Sequence, residues 1–222
     1  MITTTRYSLL GLVCSILVVL SLKIYWLVSF WHPLPYWDDW ATGLYLLEPY
    51  NFNNLFAAHN EHRIVMTRLL ALFSYKLSSY WNPKLEMTLS VIIHCLSFSL
   101  LLYTAFLENK KSAIWIATGI IFLYSVPISY QSLLMASQSQ FYFLMLFFLL
   151  ALYTIVYHEK LLLSWLFCLG SFFSMSSGFL SFIIVAAALV WKRQIRDSIY
   201  TLLLAISIVP LMVHSPHHDR LI

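Results

Sequence analysis

Long apolar segments separated by short polar breaks run through most of the chain. The first, at about 8–30, is long enough to cross a hydrocarbon core of roughly 30 Å. Polar breaks at 108–111 and 158–160 divide the later part of the chain, and Pro127 is expected to kink or end one of its helices. This pattern is typical of an all-α, polytopic membrane protein. We predict further spans at about 85–107, 112–130, 141–157 and 199–213. A short polar loop is predicted at 131–140, where Gln and Ser side chains either hydrogen-bond a sugar or are interfacial residues that satisfy helix ends.

Residues 161–190 fit either one over-long helix or two short ones. Lys160 precedes this segment, and a basic cluster at 192–196 comes directly after it. Because cytoplasmic loops collect Lys and Arg, we expect both groups on the same side of the membrane, which requires a hairpin. We place its turn at 174–178, where Ser and Gly permit a tight reversal.

The resulting prediction is a single transmembrane domain with about seven crossings. Its N-terminus is expected in the cytoplasm, and the protein in the inner (plasma) membrane. The large first loop, 31–83, then lies on the outer, extracytoplasmic face. Lys23, near the outer end of the first span, is expected to extend its amino group to the membrane interface.

Composition supports the membrane assignment and excludes other classes. Hydrophobic residues make up 61% and charged residues 10% of the chain, whereas a soluble domain has roughly a quarter charged residues. The net charge of +4 is small and the basic residues lie mostly between spans, so we predict membrane lipid, and no nucleic acid, as a partner. Cys14, Cys95 and Cys168 stand far apart inside apolar segments, which argues against disulfides and a metal cluster.

Two adjacent carboxylates, Asp38 and Asp39, stand between Trp37 and Trp40 just after the first span. One acid can cap a short helix, and the tryptophans can belong to the aromatic belt. That explanation accounts for only one acid. The second carboxylate would lie at the boundary between lipid and water, where a charged group costs free energy. A carboxylate there suits a general base that acts on a hydroxyl beside a lipid-borne substrate. We predict Asp38 and Asp39 as catalytic residues, of which only one faces the ligand because consecutive side chains project differently.

Residues 60–78, later in the same loop, show the period of an amphipathic helix. Such a helix lies flat on the membrane surface with its apolar side down. The predicted apolar side comprises Val65, Met66, Leu69, Leu70, Leu72, Phe73 and Leu77, and the polar side comprises Asn60, Glu61, Arg63, Thr67, Arg68, Ser74, Tyr75 and Ser78.

His62 falls on the apolar side, where it is either an interfacial histidine or a donor that points toward the acids. His59, His62 and Glu61 suggest a metal site, but no further ligand stands at a suitable spacing, so we predict no cofactor and keep a divalent metal as a minor alternative. Arg63 and Arg68 offer the fixed positive charge that a departing phosphate needs. The predicted substrate-binding residues are Trp37, Trp40, Glu61, His62, Arg63 and Arg68.

Three segments resemble the GT-C superfamily of integral membrane glycosyltransferases, which includes the protein O-mannosyltransferases and the aminoarabinose transferase of lipid A. They are an acidic motif directly after the first span, a surface-lying loop helix and a later Ser/Gly turn. In this sequence they read WDDW at 37–40, NEHR at 60–63 and FSMSSG at 173–178.

The resemblance implies transfer of a sugar from a polyprenyl-phosphate donor to an acceptor at the outer face, with inversion. By the same resemblance Asp38 is the base, and Asp39 is a supporting or metal-side residue. Family members are usually longer, with further spans, whereas this sequence stops at Ile222. We therefore expect the N-terminal part of a longer fold, either as a minimal form or as a truncated one.

Two other functions stay open. A non-catalytic multispan protein, such as an assembly partner, fits the abrupt end of the sequence. A lipid-sugar flippase or transporter would place ionisable groups near the bilayer midplane. Away from their ends, the predicted spans contain Lys23 and His94, and both fit a position near an edge or a packed interface.

Overall fold

The structure, a computed structural model, describes residues 2–32, 35–40, 43, 46, 52–59, 62–108, 110–126 and 130–213. Helices form the regular structure throughout these ranges, apart from a single backbone bridge between His59 and His62. The predicted all-helical class is confirmed. The helices are α1 Ile2–Phe30, α2 Phe52–Phe56, α3 Val65–Ser78, α4 Pro83–Glu108, α5 Lys110–Ser125, α6 Tyr130–Leu134, α7 Ser139–His158, α8 Leu161–Ser174, α9 Leu180–Trp191, α10 Ile195–Ile208 and α11 Pro210–Val213.

Three helical segments in the described part of the chain are long and apolar enough to cross a membrane: Val13–Phe30, Pro83–Glu108 and Ala136–His158. They belong to α1, α4 and α7. Two shorter apolar segments, Leu161–Ser174 and Ser176–Trp191, contain α8 and α9. A helical bundle with membrane-spanning potential therefore fits the structure, and the count of seven crossings stays a prediction.

The start of α4 is explained by local chemistry. The side-chain carbonyl of Asn82 accepts a hydrogen bond from the Leu85 N–H at 3.1 Å, and Pro83 occupies the first helical position, where its missing N–H costs nothing. The prediction of a polar loop at 131–140 is wrong, because Tyr130–Leu134 forms α6. The apolar Leu133 packs into the core there and stabilises this extra turn of helix.

The predicted reversal at 174–178 is confirmed. A short helical turn at Ser176–Phe179 separates α8 from α9. Gly178 is required in this turn, since a Cβ atom there would lie 2.2 Å from the backbone carbonyl carbon of Ser171. At the far end of α9, Lys192 Nζ lies 2.7 Å from Glu159 Oε1, so the chain has returned to the end of the bundle where α8 begins.

Lys23 lies inside the bundle, which corrects the prediction that it extends to the interface. Val19, Lys23 and Leu27 are the fully buried residues of α1 in the described part of the chain and are spaced four apart, so they form one stripe. This stripe packs against α4, where Val19 contacts the cluster around Val91. Lys23 stands midway along this stripe and several residues before α1 ends at Phe30. Its side chain is therefore buried together with its neighbours in the stripe.

Helix α3 differs from the amphipathic helix that was predicted. It begins at Val65, so His62 and Arg63 precede the helix rather than lie on its faces. The small or polar residues Thr67, Arg68, Ala71 and Ser74 are buried against the bundle. The apolar side chains Leu69, Phe73 and Leu77 are exposed, at 43%, 52% and 61%. Val65 and Leu70 are buried as well, so one side of α3 packs on protein with a mixture of polar and apolar residues, and the stripe Leu69, Phe73 and Leu77 faces outward.

One hydrogen bond secures that orientation. Ser139 Oγ, at the start of α7, donates to Thr67 Oγ1 at 2.9 Å, and both residues are buried. The prediction that the polar side faces water is wrong for Thr67, Arg68 and Ser74, which are buried. The structure is consistent with lipid, rather than water, as the medium around Leu69, Phe73 and Leu77. The flat-lying position on a membrane surface stays a prediction.

Candidate functional site

Three carboxyl groups, Asp38, Asp39 and Glu86, define what we call the acidic end of the bundle. Trp37, just before them, has φ 48°, a left-handed conformation that is uncommon for a bulky residue. The Asp39 N–H donates to the Tyr36 carbonyl at 3.1 Å, and the Trp40 N–H donates to the Trp37 carbonyl at 3.3 Å. This tight turn fixes the two adjacent acids in different directions.

Asp39 is fully buried and hydrogen-bonded to backbone N–H groups. Its Oδ1 accepts from the Ser137 N–H at 2.8 Å, and its Oδ2 accepts from the Tyr36 N–H at 3.4 Å. Burial raises the pKa of Asp39 above its ordinary value, and these donors act in the opposite direction. Because Ser137 shortly precedes α7, the Asp39 carboxyl joins the first loop to the bundle. Neither role predicted for the segment 131–140, sugar binding or satisfying helix ends, included this contact between Ser137 and Asp39.

Asp38 remains accessible. Its side chain is 42% exposed, and its Oδ2 lies 3.8 Å from His59 Nε2. This distance is too long for a hydrogen bond, so the contact is electrostatic. Burial lowers the pKa of His59 below its ordinary value, whereas the charge of Asp38 acts in the opposite direction. His59, which was not among the predicted substrate-binding residues, is thus an imidazole that directly faces the accessible acid.

Glu86 is an acid that sequence reasoning missed. It is only 1% exposed, and it lies close enough to Asp39 for the two carboxyl groups to interact electrostatically. Its Oε1 is buried and has no hydrogen-bond partner among the described residues. An acid in the first turn of a helix is ordinarily explained by the helix dipole, so its position carried no functional signal. The structure adds it to the acidic end.

The two predicted phosphate-binding arginines contact backbone carbonyls. Arg68 Nη1 donates to the carbonyls of Leu55, at 3.0 Å, and Ala57. Arg63 donates to the carbonyl of Phe56 through Nη1 and to that of Leu211 through Nε, at 3.1 Å. Carbonyls at the end of a helix lack partners within the helix, so these guanidinium groups stabilise the end of α2. A role in phosphate binding stays a prediction, and the contacts seen here are structural.

His62 and His59 form a narrow backbone pair. The His59 N–H donates to the His62 carbonyl at 2.7 Å, and the His62 N–H donates back at 3.0 Å. His62 Nδ1 is buried and has no hydrogen-bond partner in the described part of the chain. Glu61, the remaining predicted substrate-binding residue of this loop, lies outside the described residues. The pair brings the two histidine backbones together, and His62 Nδ1 is left without a hydrogen bond to a described residue.

Aromatic side chains surround the acids. Trp37 is 73% exposed and stacks on Tyr36 with ring centroids 5.8 Å apart. Trp40 is half exposed and contacts Trp81 at 5.9 Å. Gly43 allows the loop to approach Trp81, since a Cβ atom there would lie 2.4 Å from the indole ring. The two predicted tryptophans therefore frame the accessible Asp38 with apolar, outward-facing rings.

Proton transfer is a reaction that the described side chains at this end can support. Among the residues that the structure describes, no group of three or more His, Cys, Asp and Glu side chains is arranged to hold a metal ion. Asp38 can accept a proton from a bound hydroxyl, and His59 stands beside it. Asp39 holds the turn in place through Ser137.

No protein-family model, curated protein or solved structure matches this chain. The resemblance to the GT-C superfamily is therefore a prediction that depends on the residues quoted for it.

Proposed function

We propose that the chain acts as a membrane glycosyltransferase of the GT-C type. It transfers a sugar from a polyprenyl-phosphate donor to an acceptor at the outer face of the membrane. In the proposed step the acceptor hydroxyl oxygen forms a bond to the sugar C1, and the bond from C1 to the phosphate oxygen breaks. Asp38 takes the hydroxyl proton, and polyprenyl phosphate leaves.

The observation that carries this proposal is the unequal environment of two adjacent acids. Asp38 is 42% exposed, whereas Asp39 is fully buried and bonded to the Ser137 N–H. A general base must reach its substrate, and its position must be held by groups around it. The pair offers both properties, with Asp38 as the accessible base and Asp39 as the group that holds the turn.

The surroundings of Asp38 suit a substrate with a lipid tail and a polar head. Trp37 and Trp40 expose apolar rings beside it, and α3 exposes Leu69, Phe73 and Leu77. Tryptophan is favoured at the membrane interface because one part of its side chain is apolar and another is a hydrogen-bond donor. The acid therefore stands where a lipid-linked sugar would present its head group.

The experiment that tests the proposal measures release of polyprenyl phosphate. Membranes from cells that overproduce the chain are incubated with radiolabelled polyprenyl-phosphate hexoses, so that the native membranes supply the acceptor. We expect Asp38→Asn to lower the rate by about 100-fold or more, because removal of a general base costs that much. Asp39→Asn should lower it less and should also lower stability, because it weakens the contact with Ser137.

Asp197→Asn is the matched control, since Asp197 pairs with Arg196 at the other end of α7 and α9. It should leave the rate unchanged. Unaltered release of polyprenyl phosphate by the Asp38→Asn protein, at wild-type abundance, would rule out the enzyme as stated.

A second candidate, a lipid-sugar flippase or transporter, is favoured by a different observation. Lys23 is buried within the segment Val13–Phe30, several residues before its end, at 4% exposure. Transporters place ionisable groups in such positions. A flippase would move a fluorescent polyprenyl-phosphate sugar across reconstituted vesicles without cleaving it, which the release assay distinguishes from transfer.

A further inference from the structure

A cluster of polar side chains lies between the three long helices, away from the acidic end. Lys23 belongs to the segment Val13–Phe30, His94 to Pro83–Glu108, and Tyr142 to Ala136–His158. Each of these three membrane-length segments thus contributes one polar group. Polar groups at such positions are expensive and are usually functional.

The contacts within this cluster are close. The His94 ring stacks on the Tyr142 ring with centroids 4.4 Å apart and planes inclined by 13°. The Tyr124 ring lies on His94 at 4.6 Å. Lys23 is near enough to His94 for the two groups to interact electrostatically. Lys23 is only 4% exposed, and Tyr142 is only 5% exposed, so both side chains are more than nine-tenths buried.

The cluster is incompletely paired. His94 Nδ1 and the Tyr142 hydroxyl are buried and have no hydrogen-bond partner among the described residues. In the same part of the chain, no carboxylate lies within 4.0 Å of the Lys23 amino group. Burying two polar groups without partners opposes folding, and so does burying an amine away from an opposite charge, because its charged form is costly there.

We propose that Lys23, His94 and Tyr142 form an anion site that binds the phosphate of a ligand held between α1, α4 and α7. An ammonium group, a phenol and an imidazole N–H are three donors, and a phosphate has several strong acceptor oxygens for them. Binding would supply the missing charge to Lys23 and the missing partners to the other two groups.

The position relative to the acids fits a ligand that extends from one site to the other. Leu27, one turn of α1 nearer the acidic end, packs against Met87 and Ala136. Ala136 directly precedes Ser137, whose N–H binds Asp39. Lys23 therefore lies about one helical turn, roughly 5–6 Å, farther into the bundle than this layer. Arg63 and Arg68, by contrast, are engaged by backbone carbonyls.

This site rests on the proposed function for its substrate class, a lipid-linked phosphate, but its test does not use turnover. The purified chain in phosphatidylcholine nanodiscs is titrated with a long-chain polyprenyl phosphate, with the matching polyprenol and with inorganic phosphate. Intrinsic fluorescence is the readout, because Trp26 packs against the core cluster that borders Lys23. We expect polyprenyl phosphate to bind at least about tenfold more tightly than polyprenol.

Lys23→Met should abolish that preference, since it removes the charge and keeps an unbranched side chain of similar length. Tyr142→Phe, which removes only the hydroxyl, should weaken phosphate binding by a few fold without affecting polyprenol. Lys84→Met is the matched control, because Lys84 lies over the Trp31 ring outside the cluster, and it should bind like the wild type. Melting curves establish that each variant is folded.

Retention of the full phosphate preference by folded Lys23→Met would overturn the site. If Lys23→Met does not fold, an undiminished preference in Tyr142→Phe overturns it instead. Competition by inorganic phosphate at the concentrations where the lipid binds would assign the site to the free anion, and its absence would assign the site to the lipid. If the wild type prefers polyprenyl phosphate through Lys23 but transfers no sugar, the anion site is supported and the proposed function is contradicted. If the wild type transfers sugar but Lys23→Met binds polyprenyl phosphate as the wild type does, the proposed function is supported and the anion site is contradicted.

Discussion

The two polar ends of α7 differ in how completely their groups are paired. The basic end comprises Glu159 and the basic cluster at 192–196. There, Lys192 Nζ donates to the carbonyls of Ile155 and Val156, at 3.3 and 2.8 Å, and to Glu159 at 2.7 Å. At the acidic end, Glu86 Oε1 has no partner among the described residues. Asp38 reaches His59 only at 3.8 Å.

The difference distinguishes structural polar groups from functional ones. An ammonium has three N–H donors, and Lys192 uses one for each of three acceptors, so nothing is left for a ligand. Buried groups without partners lower stability, and proteins retain them where a substrate completes the pairing. At the acidic end this cost is carried by Glu86 Oε1.

The largest effect is expected from Arg68, a buried cation that contacts the end of α2. Arg68 is buried and binds the carbonyls of Leu55 and Ala57. Arg68→Met would leave both carbonyls without this partner and should lower the free energy of unfolding by about 2–4 kcal/mol. Thermal unfolding in detergent measures this loss. If the variant melts like the wild type, a polar group that is fully hydrogen-bonded need not stabilise the fold. The comparison between the two ends then fails.

A pair of variants sharpens the comparison between the ends. Lys192→Met removes paired contacts and should lower the free energy of unfolding by about 1–2 kcal/mol without changing sugar transfer. Glu86→Gln keeps the shape of the side chain and removes a buried acid that lies near Asp39, so it should leave stability unchanged or raise it slightly. The contrary pattern, in which Glu86→Gln unfolds the protein and Lys192→Met reduces transfer, would reverse the assignment of the two ends.

Much of the fold was predictable from periodicity and charge. The reversal at 174–178 was predicted by placing Lys160 and the basic cluster on one side, and the Lys192–Glu159 contact confirms it. What failed was the environment assigned to particular side chains. Lys23 was placed at the interface because long cations commonly reach it, but its place in the stripe from Val19 to Leu27 turns it inward.

The orientation of α3 could not be predicted from a helical-wheel projection of its sequence. A wheel shows two sides but not which medium covers each, and here Thr67 and Ser74 face protein while Phe73 is exposed. The site was found only in part, since Asp38 and Asp39 were singled out by their surroundings in sequence. Glu86 and Ser137 were not, because their contacts with Asp39 join segments far apart in the chain.

The central claim is that the acidic end faces the outside of the cell and the basic end faces the cytoplasm. Site-directed labelling with a membrane-impermeant maleimide tests it most directly, in a background that lacks Cys14, Cys95 and Cys168. Tyr80→Cys and Arg196→Cys report on the two ends, since these side chains are 60% and 81% exposed. The account predicts labelling at position 80 in intact cells and at position 196 only after lysis. The opposite pattern would contradict it.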